Sequence, residues 1–188
     1  MIKGKRIILR ALEHDDLRQL RDWRNDPDIR VRTREYRLLN MTNQEEWFRS
    51  LLRKPPESVM FGILEVEHRG LIGTCGLVHI DWVNRSAEIS LYIGEKEYRS
   101  RGYGTETIKL LLRYSFDTLN LHRIWVEVYA LPKEYGVPGK LFLKCGFKLD
   151  GRLRHTVFRM GEYYDSEFYS ILKDEWSEHF DQDGQNAI

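Results

Sequence analysis

Cysteine is scarce in this chain, charge of one sign is not in excess, and no long apolar run occurs. Each shortage excludes something. Cys75 and Cys145 are the two cysteines among 188 residues. Both stand inside apolar runs, with neither a C-x-x-C pair nor the Cys/His spacing of a zinc site, so they read as reduced core residues and no metal is expected. Thirty Lys and Arg stand against 29 Asp and Glu, a formal net charge of +1. No global field draws such a chain to nucleic acid or to a lipid surface, and neither is expected as a partner. The N-terminal MIKGKRIILRAL is charged and its apolar part is too short for a signal peptide or a membrane span, so a cytoplasmic protein is the expectation. Gly, Pro and Ser never gather into a linker and no repeat is present. Residues 1–180 therefore read as one domain, with the polar DQDGQNAI at 181–188 as a disordered tail.

What is present is hydrophobic patterning of two periods. Ile7 to Leu12 reads as a strand, and Asp15 or Asp16 can cap a helix on which Leu17, Leu20 and Trp23 share a face, ending before Pro27. Thr42 and Glu45 carry the capping-box pattern ahead of Trp47, Phe48, Leu51 and Leu52, and Pro55-Pro56 stops that helix. VMFGILEVE, LIGTCGLVHI and SAEISLYIG then follow as strands with short connections, an antiparallel meander. Ile108, Leu111, Leu112, Phe116 and Leu119 form one helical stripe, and RIWVEVYA resumes as a strand that a right-handed crossover makes parallel to the one before. A helix over Lys140 to Lys144 leads into FKLDGRLRHTVF and YYDSEFYSIL, two further strands.

Between strand and helix lies YRSRGYGTETIKLLLRYSF. A dinucleotide fingerprint needs a third glycine where Thr107 stands, and a P-loop needs Gly-Lys-Ser/Thr at a longer spacing. What remains is R-x-x-G-x-G running into a helix start, where unpaired amides suit a phosphate or pyrophosphate. A tight strand-to-helix turn with solvated arginines is the alternative.

AEISLYIGEKEYRSRGYGTETIKLLLRYSF, followed by LHRIWVEVYA and FLKCGF, resembles the acetyl-coenzyme A binding core of the GNAT N-acetyltransferases. The resemblance extends from RIILRAL to the last strand and is strongest to the branch of ribosomal-protein alanine, spermidine and amino-sugar acetyltransferases. It implies an α/β fold of the α+β type: a mixed, mostly antiparallel sheet of about seven strands with helices on both faces. The fourth and fifth strands, Ala87 to Ile93 and Arg123 to Ala130, would splay apart around the pantetheine arm. Acetyl-coenzyme A would be the co-substrate, with its diphosphate on the amides from Arg99 to Thr105. The implied cofactor contacts are Leu91, Tyr92, Ile93, Arg99, Ser100, Arg101, Gly102, Tyr103, Gly104, Thr105 and Phe142, with Arg99 and Arg101 adding mobile charge.

Glu88 is out of register with Ala87, Ile89, Leu91 and Ile93 and points to the other face, where it is the candidate base for the acceptor amine. The sequence departs from the family at Phe142, where many relatives carry a tyrosine that protonates the departing thiolate, and in KEYGVPGK, which lacks the usual asparagine. Tyr135 is the nearest phenol and the candidate acid. For the acceptor, a small-molecule or peptide primary amine, the resemblance points to Trp23, Arg24 and Arg30. Those residues favour an amino-sugar nucleotide, then a protein N-terminus, then a polyamine, because no compact run of carboxylates appears. A homodimer is an open expectation, and a non-catalytic acyl-coenzyme A sensor is the competing reading, with Phe142 as its support.

Overall fold

The computed structural model describes residues 1–136 and 138–180; the tail expected at 181–188 lies outside them. Its elements are β1 (Ile2–Lys3), β2 (Ile7–Ala11), α1 (Leu17–Asn25), α2 (Pro27–Arg30), α3 (Met41–Ser50), β3 (Val59–Glu65), β4 (Leu71–Asp81) and β5 (Ser86–Ile93). There follow α4 (Tyr103–Arg113), β6 (Arg123–Tyr129), α5 (Pro138–Lys144), β7 (Lys148–Arg159), β8 (Glu162–Leu172) and α6 (Lys173–Phe180). One sheet of eight strands runs β1-β2-β3-β4-β5-β6-β8-β7. The strand beyond the expected seven is the two-residue β1, too short to show a pattern in the sequence. The β5–β6 pairing is parallel and the rest are antiparallel.

Alternation along the strands sorts side chains to two faces. On one, Ala87, Ile89, Ile124, Val126 and Val128 pack with Ile108, Leu111 and Leu112 of α4 and with Phe142 of α5 as the main core. On the other, Leu17, Leu20 and Trp23 of α1 and Ile29 of α2 form a second core with Tyr92 of β5 and with Trp47 and Phe48 of α3. Helices thus cover both faces, and the site described below opens beside the second core. Cys75 and Cys145 are both buried and unpaired. Among the described residues no helix is long and apolar enough to cross a membrane.

Local signals placed α1, α3, α4 and α5 to within a turn; α2 and α6 were not expected. The N-cap of α3 is Asn40, two residues before the expected Thr42, and its reciprocal partner is Asn43: the Asn40 side chain accepts from the Asn43 amide at 2.9 Å and the Asn43 side chain from the Asn40 amide at 3.2 Å. Asn caps as well as Thr, so the earlier box wins by adding helix. Asp16 does not cap α1 with its side chain; its carboxylate takes both Nη atoms of Arg10 at 2.7 Å, joining the helix entry to β2. α5 begins at Pro138, earlier than Lys140, because proline is favoured in a first helical turn.

Gly94, at the end of β5, lies under the indole of Trp23, and a Cβ there would enter the ring. Gly94→Ala is expected to destabilise the protein by about 1–3 kcal/mol through overpacking. Gly70→Ala, where a Cβ meets nothing within 4 Å, should be close to neutral in the same urea titration. Equal midpoints for the two variants would contradict the packing of Trp23 on β5.

Candidate active site

β5 and β6 pair at Ser86↔Arg123, Ala87↔Ile124 and Glu88↔Trp125. Beyond that point β5 stays on β4 as far as Gly73↔Ile93, and β6 stays on β8 as far as Tyr129↔Ser166. The sheet therefore forks. The Gly94 amide donates to the Ile72 carbonyl of β4 at 2.8 Å, so by strand alternation the amides of Ile93 and Leu91 face the fork. Backbone groups on that side lack a ladder partner, and an extended ligand can supply one.

At the far end of β5 the chain passes a 3-10 turn at Lys96–Tyr98 and enters α4 through Ser100 at φ +59° and Gly102 at φ +88°. Gly102 is the N-cap of α4 and offers no side chain to the first-turn amides, which leaves those of Tyr103, Gly104 and Thr105 for an anion. A Cβ on Gly104 would face Leu141 at 3.4 Å and Leu91 at 3.8 Å, across the space between α5 and β5. Ser100 and Arg101 are exposed. Arg99, expected as mobile charge, is instead tied back: its Nε donates to the Ile93 carbonyl at 3.0 Å and its Nη2 to the Gly94 carbonyl at 2.8 Å, with Asp26 and Asp28 beside it. The sequence reading missed Arg6. Its Nε and main-chain N–H both donate to the Glu106 carboxylate, at 3.0 and 2.8 Å, and its Nη1 donates to the Arg101 carbonyl at 2.9 Å. Arg6 also lies over the Tyr103 ring at 4.7 Å. The loop is thus braced from β2.

At the vertex of the fork sits Glu88, 6 % exposed. Its Oε2 accepts from Nη1 of Arg34 at 2.5 Å and lies 3.8 Å from Nε2 of His79. Glu127, two residues past Trp125 on β6, accepts from Nη2 and Nε of the same Arg34 at 2.6 and 3.1 Å. Its other oxygen accepts from the Ser166 hydroxyl at 2.6 Å. The guanidinium stands 6.0 Å from the Trp125 ring, which is stacked on Phe168. Partial burial works against the charge on Arg34, but its hydrogen bonds to Glu88 and Glu127 outweigh that and raise its pKa further. Tyr129 lies next along the same face, its phenol pushed up by burial, with the Arg159 guanidinium 5.5 Å from its ring. Arg34, Glu127, Trp125 and His79 were not singled out in the sequence. A signal existed for Glu127, whose place in RIWVEVY repeats the out-of-register carboxylate of AEISLYI.

The remaining expected residues fall around this centre. Trp23 is 8 % exposed and meets Tyr92 edge-on at 6.3 Å, so its ring is taken up in packing. The Nε of Arg24 is buried without a hydrogen-bond partner, and its charge opposes the burial-driven rise of the Tyr92 phenol. Arg30 donates to the Tyr36 carbonyl at 3.4 Å. Phe142 is buried against Phe147. Tyr135 ends a 3-10 turn just after β6.

The acetyltransferase (GNAT) domain family matches residues 6–148. A spermidine N(1)-acetyltransferase of Vibrio cholerae is 30% identical over 173 residues, 92% of this chain and 96% of that protein. A putative ribosomal N-acetyltransferase of Bacillus subtilis, YdaF, is 34% identical over 107 residues, 56% of each chain. The solved structure of spermidine N-acetyltransferase from Vibrio cholerae in complex with CoA and spermine superposes with a TM-score of 0.82 at 28% identity, covering 92% of this chain and 99% of that one.

Arg6→Ala removes the side-chain part of the brace, to Glu106 and the Arg101 carbonyl, and keeps the main-chain bond to Glu106. Coenzyme A binding, read by calorimetry, is expected to weaken by roughly five- to thirty-fold, the factor that 1–2 kcal/mol of lost ordering gives. An unchanged dissociation constant would mean that the loop holds its shape unaided.

Proposed function

The chain belongs to the GNAT family and is an acetyl-coenzyme A-dependent N-acetyltransferase, and from this premise we propose that its acceptor is a primary amine of a small polycation of the polyamine class, deprotonated by Glu88. The observation that carries this reading is the convergence of Glu88 and Glu127 on one cation beside Trp125, at the vertex of the fork. Two carboxylates and an indole face suit an alkylammonium. The names of the spermidine-acetylating relatives point the same way. The amino-sugar nucleotide favoured by the sequence reading relied on Trp23 as a ring open to a base, and that ring is buried. The polyamine came last there for want of a compact acidic run; the carboxylates are instead far apart in sequence and meet because β5 and β6 are neighbours.

Acetyl-coenzyme A supplies the acetyl group as a thioester, an acyl donor that a free amine can attack. Amines of this kind have pKa values of about 10, so one proton must leave before attack. Glu88 holds the ammonium and accepts that proton, directly or through one water. Because Glu88 is buried, His79, 3.8 Å away with a side chain 59% exposed, is its route to solvent. The amides of Leu91 and Ile93 face the fork and donate to oxygen there, where negative charge develops on the carbonyl. Phe142 has no proton to give, and the thiolate takes its proton from the Tyr135 phenol or from the ammonium formed on attack.

Glu88→Gln keeps the shape of the site and removes the base. Its kcat is expected to fall by about two to four powers of ten with coenzyme A binding retained. In a thiol-release assay spermidine should outperform both a nucleoside-diphosphate amino sugar and an Ala-initiated peptide. If the sugar or the peptide wins, the acceptor assignment fails while acetyl transfer stands. Coenzyme A binding with no release on any amine would favour the sensor reading.

A further inference from the structure

Residues 31–39 join α2 to α3 without regular structure and cross the acceptor side of the sheet. The segment is tied at both ends. Asn25 of α1 donates to the Leu39 carbonyl and accepts from the Leu39 amide, both at 2.8 Å. Arg159 of β7 donates to the carbonyls of Val31 at 3.3 Å and Thr33 at 2.9 Å. Between these ties Arg34 reaches into the site. Its side chain is 44% exposed, yet its guanidinium makes every contact an alkylammonium would want there: Glu88, Glu127 and the face of Trp125.

A cation is already in place, and it belongs to the chain. Glu88 and Glu127 both lie within hydrogen-bond reach of one guanidinium, so leaving them without any cation would place two like charges side by side in a partly dry setting. An ammonium placed between Glu88 and Glu127 would fall where the Arg34 guanidinium already stands, so the two cations compete for that space. Resting on the acceptor reading above, we propose that Arg34 is a tethered internal occupant of the acceptor's ammonium site, which the acceptor must displace in order to bind. Two consequences follow from charge balance. Acceptor affinity is reduced by the fraction of time Arg34 holds the site, as for any competitor of high effective concentration. Selectivity favours an acceptor with more than one positive charge: once Arg34 has left, a monocation neutralises one carboxylate, whereas a polycation neutralises both. Arg34 thereby sets acceptor affinity from the irregular segment between α2 and α3.

The test separates binding from turnover. Calorimetric titration of spermidine and of propylamine, without acetyl-coenzyme A, is carried out on the full chain, on Arg34→Ala and on Arg34→Lys. Removing a competitor that occupies the site from nine-tenths to nearly all of the time should tighten spermidine binding by about ten- to a hundred-fold. Propylamine should gain by a similar factor, because both amines displace the same cation. Arg34→Lys keeps a tethered cation and should behave as the unaltered chain. In turnover the gain should appear in KM for the amine, with KM for acetyl-coenzyme A unmoved. Should Arg34→Ala fail to fold, Arg34→Gln keeps hydrogen-bonding length without charge and carries the same expectation. Unchanged or weaker amine binding in the neutral variants would make Arg34 a brace for the site and overturn the proposal, even if spermidine is acetylated. Tighter binding without acetyl transfer would uphold the displaced cation and reject the acceptor assignment instead.

Discussion

The site exists because two neighbouring strands stop pairing. A sheet normally closes every interior ladder, and an open one leaves amides and carbonyls that have lost water without gaining a partner. Here the parallel contact between β5 and β6 ends at Glu88 and Trp125 while each strand remains anchored on its outer neighbour. The opening is therefore rigid. On one face of the sheet α4 and α5 bury Ala87, Ile89, Val126 and Val128. On the other, the fork's vertex presents its out-of-register side chains, Glu88 and Glu127, to Arg34. The same alternation that builds the core thus delivers the chemistry, since the residues not used for packing are the ones left facing the ligand.

Charge in this region is balanced pair by pair. Across the chain the sum is near zero, but locally arginines and carboxylates interlock: Arg10 with Asp16, Arg99 beside Asp26 and Asp28, Arg34 with Glu88 and Glu127. The first two join elements of the scaffold and have no reason to part. The last joins an irregular segment to the fork and gives both carboxylates at its vertex their counter-charge.

Much of this was legible in the sequence, for identifiable reasons. Helix and strand periods, the R-x-x-G-x-G loop and the out-of-register Glu88 are local patterns, and local patterns survive without knowledge of neighbours. The cap of α3 was misplaced because Thr42-Glu45 carries the usual capping-box pattern, whereas the Asn40–Asn43 pair that caps the helix departs from it. Trp23 read first as a core anchor and second as a ligand platform; the contact with Gly94 that decides the matter joins residues distant in sequence. Glu127 and Arg34 were missed on the same ground. Their meaning lies in where β6 and the 31–39 segment end up relative to Glu88. Arg99 was read as free charge because nothing in the sequence shows that β5's last carbonyls lie within its reach.

The brace from Arg6 to Glu106 joins residues 100 positions apart. It makes the start of the chain part of the cradle around the R-x-x-G-x-G loop, although three strands separate β2 from the fork's far arm, β6. Order in the cradle and order in β2 are therefore one thermodynamic event. Saturation with coenzyme A should slow amide hydrogen exchange not only in α4 but also around Arg6, while fraying at the N-terminal edge of the sheet should be felt as faster co-substrate departure.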